Sequence, residues 1–79
     1  MVQQHPTSSA LIEVLIQARV AAGMSQRDLA AKLRWPQSRI GKIESAARNI
    51  SVIEFVEIAR ALGIDPSKLL TLVVKATGL

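Results

Sequence analysis

The chain has 79 residues, enough for one small domain, and it contains no cysteine. The absence of cysteine excludes disulfide bridges, thiolate zinc sites and cysteine nucleophiles. No apolar run approaches the roughly 18–20 residues of a membrane-spanning helix, and the start lacks the basic and apolar regions of a signal peptide. We therefore expect a single cytoplasmic domain that does not enter a membrane.

Positive charge is concentrated in the middle of the sequence. The whole chain has a net charge of +4. Between Arg19 and Arg48 seven cations face two acids, a net charge of +5, whereas the other residues contain three cations and four acids, a net charge of −1. This local excess favours a polyanionic partner, although charge alone is equally consistent with a solvated surface.

Five segments with helical periodicity predict an all-α fold of five helices. Residues 1–7 are polar and predict a flexible N-terminal end, so that a single domain covers residues 8–79. The first helix is expected to begin after Ser8 or Ser9 and to run to about Ala22.

The second and third helices are separated by a very short turn. Ser25 is the expected N-cap of the second helix, and Asp28, three residues on, is an imperfect stand-in for the glutamate of a capping box. Pro36 is the expected first residue of a third helix that ends near Ser45. So short a turn makes the helices cross steeply, which is typical of a helix-turn-helix at about 25–45. Six positions are expected to face inward in this unit: Leu29, Ala30, Leu33, Trp35, Ile40 and Ile43.

The C-terminal part predicts two further helices. Ser51 and Glu54 form a capping box at the start of the fourth helix, where Glu54 is expected on a solvated face. Asp65 caps the fifth helix, in which Leu69 and Leu70 are expected to point inward. The β-branched residues that follow favour a strand, but no partner strand is visible, so we interpret them as a continuation of the helix.

Three stretches resemble one family of DNA-binding regulators: GMSQRDLAAKL, PQSRIGKIE and NISVIEFVEIARALGIDPSKLL. Together they cover roughly residues 10–71 and resemble the Xre/Cro–C1 group. This group includes lambdoid phage repressors, restriction–modification controller proteins and many antitoxins. The resemblance implies a compact, lambda repressor-like helix-turn-helix domain that binds double-stranded DNA, regulates transcription and is not an enzyme.

In this family the third helix lies in the major groove and its exposed N-terminal half contacts base edges. The matching positions are Pro36, Gln37, Ser38, Gly41 and Lys42. Gln37 offers an amide donor and acceptor to adenine, and Lys42 donates to guanine. A mid-helix glycine costs about 1 kcal/mol relative to alanine, so Gly41 is expected to let the backbone approach the duplex. The alternative is that Gln37 and Ser38 are ordinary residues of a helix start.

Phosphate contacts are expected around the third helix. Gln26 matches a glutamine that the family uses at the start of the second helix, where free backbone amides attract an anion. Arg48 matches a basic loop residue that contacts the DNA backbone, and Arg39 flanks the reading face. Arg27 and Arg34 are further candidates. Such contacts position a protein on DNA and carry little sequence information.

Three features of the family concern structure rather than recognition. Arg19 and Glu44 match residues that form a largely buried ion pair in the repressors, and the same pair is expected here. Arg34 stands where the family usually has glycine; a positive φ there is tolerable at a cost of about 1 kcal/mol, and the alternatives are a slightly distorted turn or an arginine kept for its charge. Ala46 replaces another glycine, which puts the family's geometry at Ser45–Asn49 in doubt.

One recognition helix reads too few base pairs for useful specificity, and repressors of this type bind two half-sites as dimers. We expect a homodimeric repressor of a palindromic operator, with Leu69, Leu72 and Val73 in the dimer interface; the alternative for Leu72 to Val74 is packing back onto the first helix. The alternative is an antitoxin or similar module whose apolar C-terminal region binds another protein, such as a toxin. The only histidine, His5, forms no metal site by itself, and no cofactor or small-molecule ligand is indicated.

Overall fold

The computed structural model describes residues 6–78 of the chain. This part of the chain contains five helices and no strand: α1 (Pro6–Ala21), α2 (Gln26–Leu33), α3 (Gln37–Glu44), α4 (Val52–Ala61) and α5 (Pro66–Thr77). The predicted all-α class with five helices is therefore confirmed.

The first helix begins earlier than the sequence predicted. It starts at Pro6, so Ser8 and Ser9 lie inside the helix and neither is its cap. Proline suits the first turn of a helix because the amide hydrogen that it lacks would have no helical acceptor there. The predicted flexible end at 1–7 therefore overlaps the helix, and residues 1–5 lie outside the described part of the chain.

Both predicted capping boxes are confirmed. The hydroxyl of Ser25 accepts from the backbone N–H of Asp28 at 3.0 Å, and the Asp28 carboxylate accepts from the N–H of Ser25 at 2.9 Å. The hydroxyl of Ser51 and the carboxylate of Glu54 make the same two bonds at the start of α4, both at 3.0 Å. Aspartate therefore completes the box of α2 although its side chain is one methylene shorter than glutamate.

All five helices contribute to one apolar core. α1 packs against α3 and α5, α2 packs against α3 and α4, and α4 packs against α5. The buried core residues are Leu15, Leu29, Ala30, Ile40, Ile43, Ile58, Ala59, Leu62 and Leu69. Of the positions predicted to face inward in the helix-turn-helix, only Leu33 and Trp35 are less than fully buried, and both pack against this core.

The last helix presents a narrower apolar stripe to the core than the sequence predicted. Leu69 is fully buried and Val73 is 9% exposed, whereas Leu70 is 53% exposed. The prediction that Leu70 points inward is wrong. Neighbouring residues on a helix are turned by about 100°, so a stripe through Leu69 and Val73, four residues apart, leaves Leu70 outside.

Candidate nucleic-acid interface

The turn between α2 and α3 contains a left-handed residue. Arg34 has φ 60° and ψ 37°, so the turn keeps a left-handed residue although arginine replaces the usual glycine. The next residue, Trp35, donates its backbone N–H to the carbonyl of Ala30 at 2.9 Å and closes α2. Pro36 is extended and is the N-cap of α3, one residue before the helix proper, which begins at Gln37. This turn joins α2 to α3, and the two helices pack against each other.

The outer face of α3 is polar. Ile40 and Ile43 are buried beneath the helix, while Gln37, Ser38 and Lys42 are exposed. Within residues 6–78 none of these three polar side chains makes a hydrogen bond or an ion pair. Ser38 and Lys42, four residues apart, form the outermost row of the helix. All three side chains are free to bind an external partner.

Gly41 lies on the side of α3 that faces α2. A β-carbon at this position would be 3.6 Å from Oε1 of Gln26, an ordinary van der Waals distance. Packing within the chain therefore does not require glycine here. Because glycine within a helix costs about 1 kcal/mol relative to alanine, any advantage of Gly41 has to come from outside the fold.

A carboxylate at the end of α3 joins three helices. Glu44 accepts from Nε and Nη2 of Arg19 at 2.8 and 3.0 Å and from Nε2 of Gln26 at 2.9 Å. Nη1 of Arg19 donates to the carbonyl of Met24 at 2.8 Å. The two charged side chains are only 13% and 8% exposed, so the predicted buried ion pair is confirmed. The hydrogen bond to Glu44 raises the pKa of Arg19.

At the start of α2 the side chain of Gln26 is already hydrogen-bonded, whereas the first backbone N–H groups are not. Because Nε2 of Gln26 donates to Glu44, the side-chain donor predicted for a phosphate is used within the chain. In the described structure, the backbone N–H groups of Gln26 and Arg27 have no acceptor. These first amides of α2 remain available to an anion.

Cations surround the polar face of α3. Arg27 and Arg34 are exposed near the two ends of α2, and Lys42 is exposed on α3 itself. Arg39 is half-buried, with its guanidinium carbon 4.8 Å from the centre of the Trp35 ring. The helix-turn-helix therefore combines free hydrogen-bonding groups with a positive rim.

Comparison with known proteins identifies the family. The Helix-turn-helix family (HTH_3) matches residues 15–69. An XRE-family like protein from Pseudomonas syringae pv. tomato str. DC3000 is 44% identical, with a TM-score of 0.83 over 90% of this chain and 87% of that protein. The chain belongs to the Xre/Cro–C1 helix-turn-helix family. This Xre-family protein is a DNA-binding transcription regulator, and its family is not enzymatic.

Two other solved structures share the fold. The wild-type restriction-modification controller protein C.Esp1396I is 25% identical, with a TM-score of 0.84 over 92% of this Xre-family chain and 94% of that chain. The clp gene regulator ClgR from Corynebacterium glutamicum is 20% identical, with a TM-score of 0.81 over 96% of this chain and 81% of that one. No curated protein matches the chain.

A second ion pair, which was not predicted from the sequence, lies just beyond α3. Nη1 and Nη2 of Arg48 donate to Oε1 and Oε2 of Glu54 at 3.0 and 2.6 Å, and Nη1 also donates to the carbonyl of Asn49 at 3.1 Å. Glu54 is 9% exposed, so the prediction that it lies on a solvated face is wrong. The bonds from Arg48, followed by the N–H of Ser51, lower the pKa of Glu54 from 4.5 to about 2.

The loop that follows α3 keeps a conformation that favours glycine. Ala46 has a φ of 65°, in the left-handed region, and its N–H donates to the carbonyl of Ile43 at 3.1 Å. The N–H of Arg48 donates to the carbonyl of Lys42 at 3.2 Å. The sequence had put the geometry of this loop in doubt, because alanine replaces the usual glycine. The left-handed turn forms at this position nevertheless.

Two of the three residues predicted for the dimer interface of this Xre-family protein are part of the core. Leu69 is fully buried and Val73 is 9% exposed, because both lie on the stripe of α5 that packs inward. Leu69 therefore exposes no surface, whereas Val73 still lines a groove between α4 and α5. Leu72 is 50% exposed and lines an open groove with Val14 and Ala18 of α1.

Residues 6–78 contain no group of histidine, cysteine, aspartate and glutamate side chains arranged to hold a metal ion. In the same residues, no helix is both long and apolar enough to cross a membrane. His5 lies outside this range.

Proposed function

We propose that the chain is a homodimeric transcription repressor that binds a palindromic operator in double-stranded DNA, with α3 in the major groove. The observation that carries this proposal is the free polar face of α3, where Gln37, Ser38 and Lys42 are exposed on the second helix of the helix-turn-helix. Side chains without intramolecular partners lose no internal bonds when they bind base edges. A DNA-binding role also places the protein in the cytoplasm.

Base readout is assigned to the first two turns of α3. Gln37 would pair its amide donor and acceptor with adenine, Lys42 would donate to O6 or N7 of guanine, and Ser38 would be less selective. Gly41 would let the backbone approach the duplex, in agreement with the absence of any packing need for glycine. Pro36, exposed at the N-cap, would contact the neighbouring base edge.

Phosphate contacts are assigned to the surrounding groups. Arg27, Arg34 and Arg39 supply cations, and Gln26 contributes its free backbone N–H at the start of α2. Arg48 already uses three N–H groups within the chain, which leaves two of the five N–H groups of a guanidinium for a phosphate. These contacts would supply most of the salt-dependent affinity.

Dimerisation is assigned to the apolar groove between α4 and α5. The groove, of about 370 Å³, is lined by side chains that include Val52, Val56 and Leu70. Val52 and Leu70 are 78% and 53% exposed, large values for apolar side chains. Leu70→Asp is expected to give a monomer in sedimentation experiments. Leu72→Asp is the matched control, since Leu72 lies two residues on and faces the other side of α5.

The decisive experiment is selection of bound sequences from random duplexes at a stated salt concentration. The wild-type chain is expected to recover a palindrome with half-sites about one helical turn apart, roughly 34 Å. Gln37→Ala is expected to lose the preference at one position of each half-site, whereas Arg27→Ala weakens binding to all sequences alike. If Gln37→Ala also weakened all sequences equally, base readout by Gln37 would be wrong.

A second candidate function is a protein-binding role, such as that of an antitoxin. The observation that favours it is the other apolar groove, about 610 Å³ between α1 and α5, where Leu72 is half-exposed. This role predicts a stably co-purifying protein, such as a toxin, that is lost in Leu72→Asp but retained in Leu70→Asp. The two roles are compatible, because they use different surfaces.

A further inference from the structure

A tryptophan ring lies against an arginine at the start of α3. The guanidinium carbon of Arg39 is 4.8 Å from the centre of the Trp35 ring. Trp35 packs against the core, and its backbone is tied to Ala30 by a hydrogen bond of 2.9 Å. The ring is therefore a fixed surface, and the arginine one helical turn later rests on it.

This contact leaves the N–H groups of Arg39 available. A guanidinium held over a ring interacts through its charged plane, whereas hydrogen bonds leave from its edges. In the described structure the Arg39 side chain has no hydrogen bond and no carboxylate partner. Arg39 is therefore held in place while its donors remain free.

Arg39 lies at the border of the polar face, on the flank away from α2. Gly41 marks the opposite flank, because it faces Gln26 of α2. With about 100° per residue, the outermost row of Ser38 and Lys42 runs between them. When a helix lies in the major groove, the polar side chains that enter the groove, including Gln37 at the first turn, meet base edges, whereas a cation at the outer border of that face can reach a sugar–phosphate strand. The free donors of Arg39 would therefore meet a phosphate.

We propose that Trp35 is a positioning residue that holds Arg39 ready to donate hydrogen bonds to a DNA phosphate at the rim of the major groove. The inference rests on the groove-binding mode of α3 proposed above. An arginine immobilised on binding loses rotamer freedom, and one already held by a ring loses less. Arg27 and Arg34 have no ring against them in the described structure, so they lose that freedom when DNA binds.

The test measures binding to a random-sequence duplex over a range of salt concentrations. Arg39→Ala is expected to reduce the steepness of the log–log salt dependence by about 0.9, the effect of one lost phosphate contact. Trp35→Leu is expected to weaken binding about twofold to tenfold with an unchanged salt slope. In the Arg39→Ala background, Trp35→Leu is expected to cause no further loss.

Two further variants separate positioning from folding. Trp35→Phe keeps a ring, although a weaker one for a cation, and is expected to restore most of the affinity lost in Trp35→Leu. Leu33→Ala removes core packing at the same turn and is expected to lower stability while the folded protein keeps its affinity. The proposal would be overturned if Trp35→Leu reduced DNA affinity equally in the presence and absence of Arg39. It would also be overturned if Arg39→Ala changed the sequence preference but left the salt slope unchanged.

The contact is also measurable without DNA. Trp35 is the only tryptophan and the chain has no tyrosine, so emission excited in the near ultraviolet comes from this ring. Arg39→Ala is expected to shift that emission in the free protein, and identical spectra would overturn the proposal. Failure of the wild-type chain to bind any duplex would instead contradict the proposed function.

Discussion

Two arginine–glutamate pairs hold the chain on either side of the end of α3, and they differ in burial and in what they join. Arg19 and Glu44 are 13% and 8% exposed and connect α1 to α3, with Gln26 of α2 bound to the same carboxylate. Arg48 and Glu54 are 39% and 11% exposed and connect a loop to the start of α4. The first pair sets the position of a helix, and the second sets the path of the chain that leaves it.

Similar bonds carry different penalties when they are broken. Removing one partner of a well-buried pair leaves a charge without solvent, whereas water can replace a partner at a half-exposed guanidinium. We therefore expect the first pair to dominate stability, while the second is replaced in part by solvent.

The largest effect is expected from Glu44→Ala. It leaves Arg19 buried without a carboxylate and also removes the acceptor of Gln26, so the free energy of unfolding should fall by about 3–5 kcal/mol. Urea denaturation monitored by circular dichroism measures this change. In the control Arg19→Met combined with Glu44→Leu, most of the loss should be recovered, because no buried charge remains. A loss below about 1 kcal/mol in Glu44→Ala would remove the distinction between the two pairs.

A smaller loss is expected from Glu54→Ala. This change removes the bonds to Arg48 and half of a capping box, and it should lower the free energy of unfolding by about 2 kcal/mol. Arg48→Ala should cost less, because the capping box stays intact and removal of the partly exposed guanidinium opens the Glu54 carboxylate to water. The same denaturation assay ranks the two variants. If Arg48→Ala were the more damaging change, the loop rather than the cap would depend on this pair.

Acid is expected to weaken the second pair. The pKa of Glu54 is lowered to about 2 from its ordinary value of 4.5, mainly by the bonds from Arg48. Because the pKa is lower in the folded protein, the ionised Glu54 stabilises the fold at pH values above about 4.5. That stabilisation disappears as the pH falls from about 4.5 towards 2. Stability should therefore fall by roughly 1–3 kcal/mol across that range. Asp28 and Asp65 also have lowered pKa values and contribute to the same loss of stability. The contribution of Glu54 is therefore measured as the difference between wild type and Glu54→Gln, in which stability should fall less over this pH range.

Interactions between residues close in sequence explain why much of the fold was predictable. Capping boxes at Ser25 and Ser51 form within one turn, so the starts of α2 and α4 follow directly from local pattern. The Arg19–Glu44 pair, 25 residues apart, was predicted only because the sequence resembles a family that has it. The polar face of α3 was predictable from its residues, because Ile40 and Ile43 fix which side points inward.

What could not be predicted depended on the path of the chain. A glutamate in a capping box can be solvated or covered, and only the loop that brings Arg48 over α4 decides between the two at Glu54. The spacing of six residues between them was the available signal. On α5, every residue from Leu72 to Val74 is apolar, so composition alone did not show that the inward stripe passes through Leu69 and Val73.

The smallest effect is expected in the loop that contains Arg48. Ala46 has a φ of 65°, and Ala46→Gly should relieve about 1 kcal/mol of backbone strain while adding part of that amount back as unfolded-state entropy. The net result should be a gain of a few tenths of a kcal/mol up to about 1 kcal/mol, measured by thermal unfolding. Arg34→Gly is the parallel change before α3, and a loss of stability in either variant would show that its side chain contributes more than its φ costs.

The polar face of α3 has a consequence for how such a regulator diversifies. Gln37, Ser38 and Lys42 are exposed and bound to nothing else in residues 6–78. Exchanging them therefore alters no contact on which folding depends, while Ile40 and Ile43 keep the helix seated. Under the base readout proposed for this face, a duplicated copy would acquire a different target through a few codon changes while the core that seats α3 stays intact.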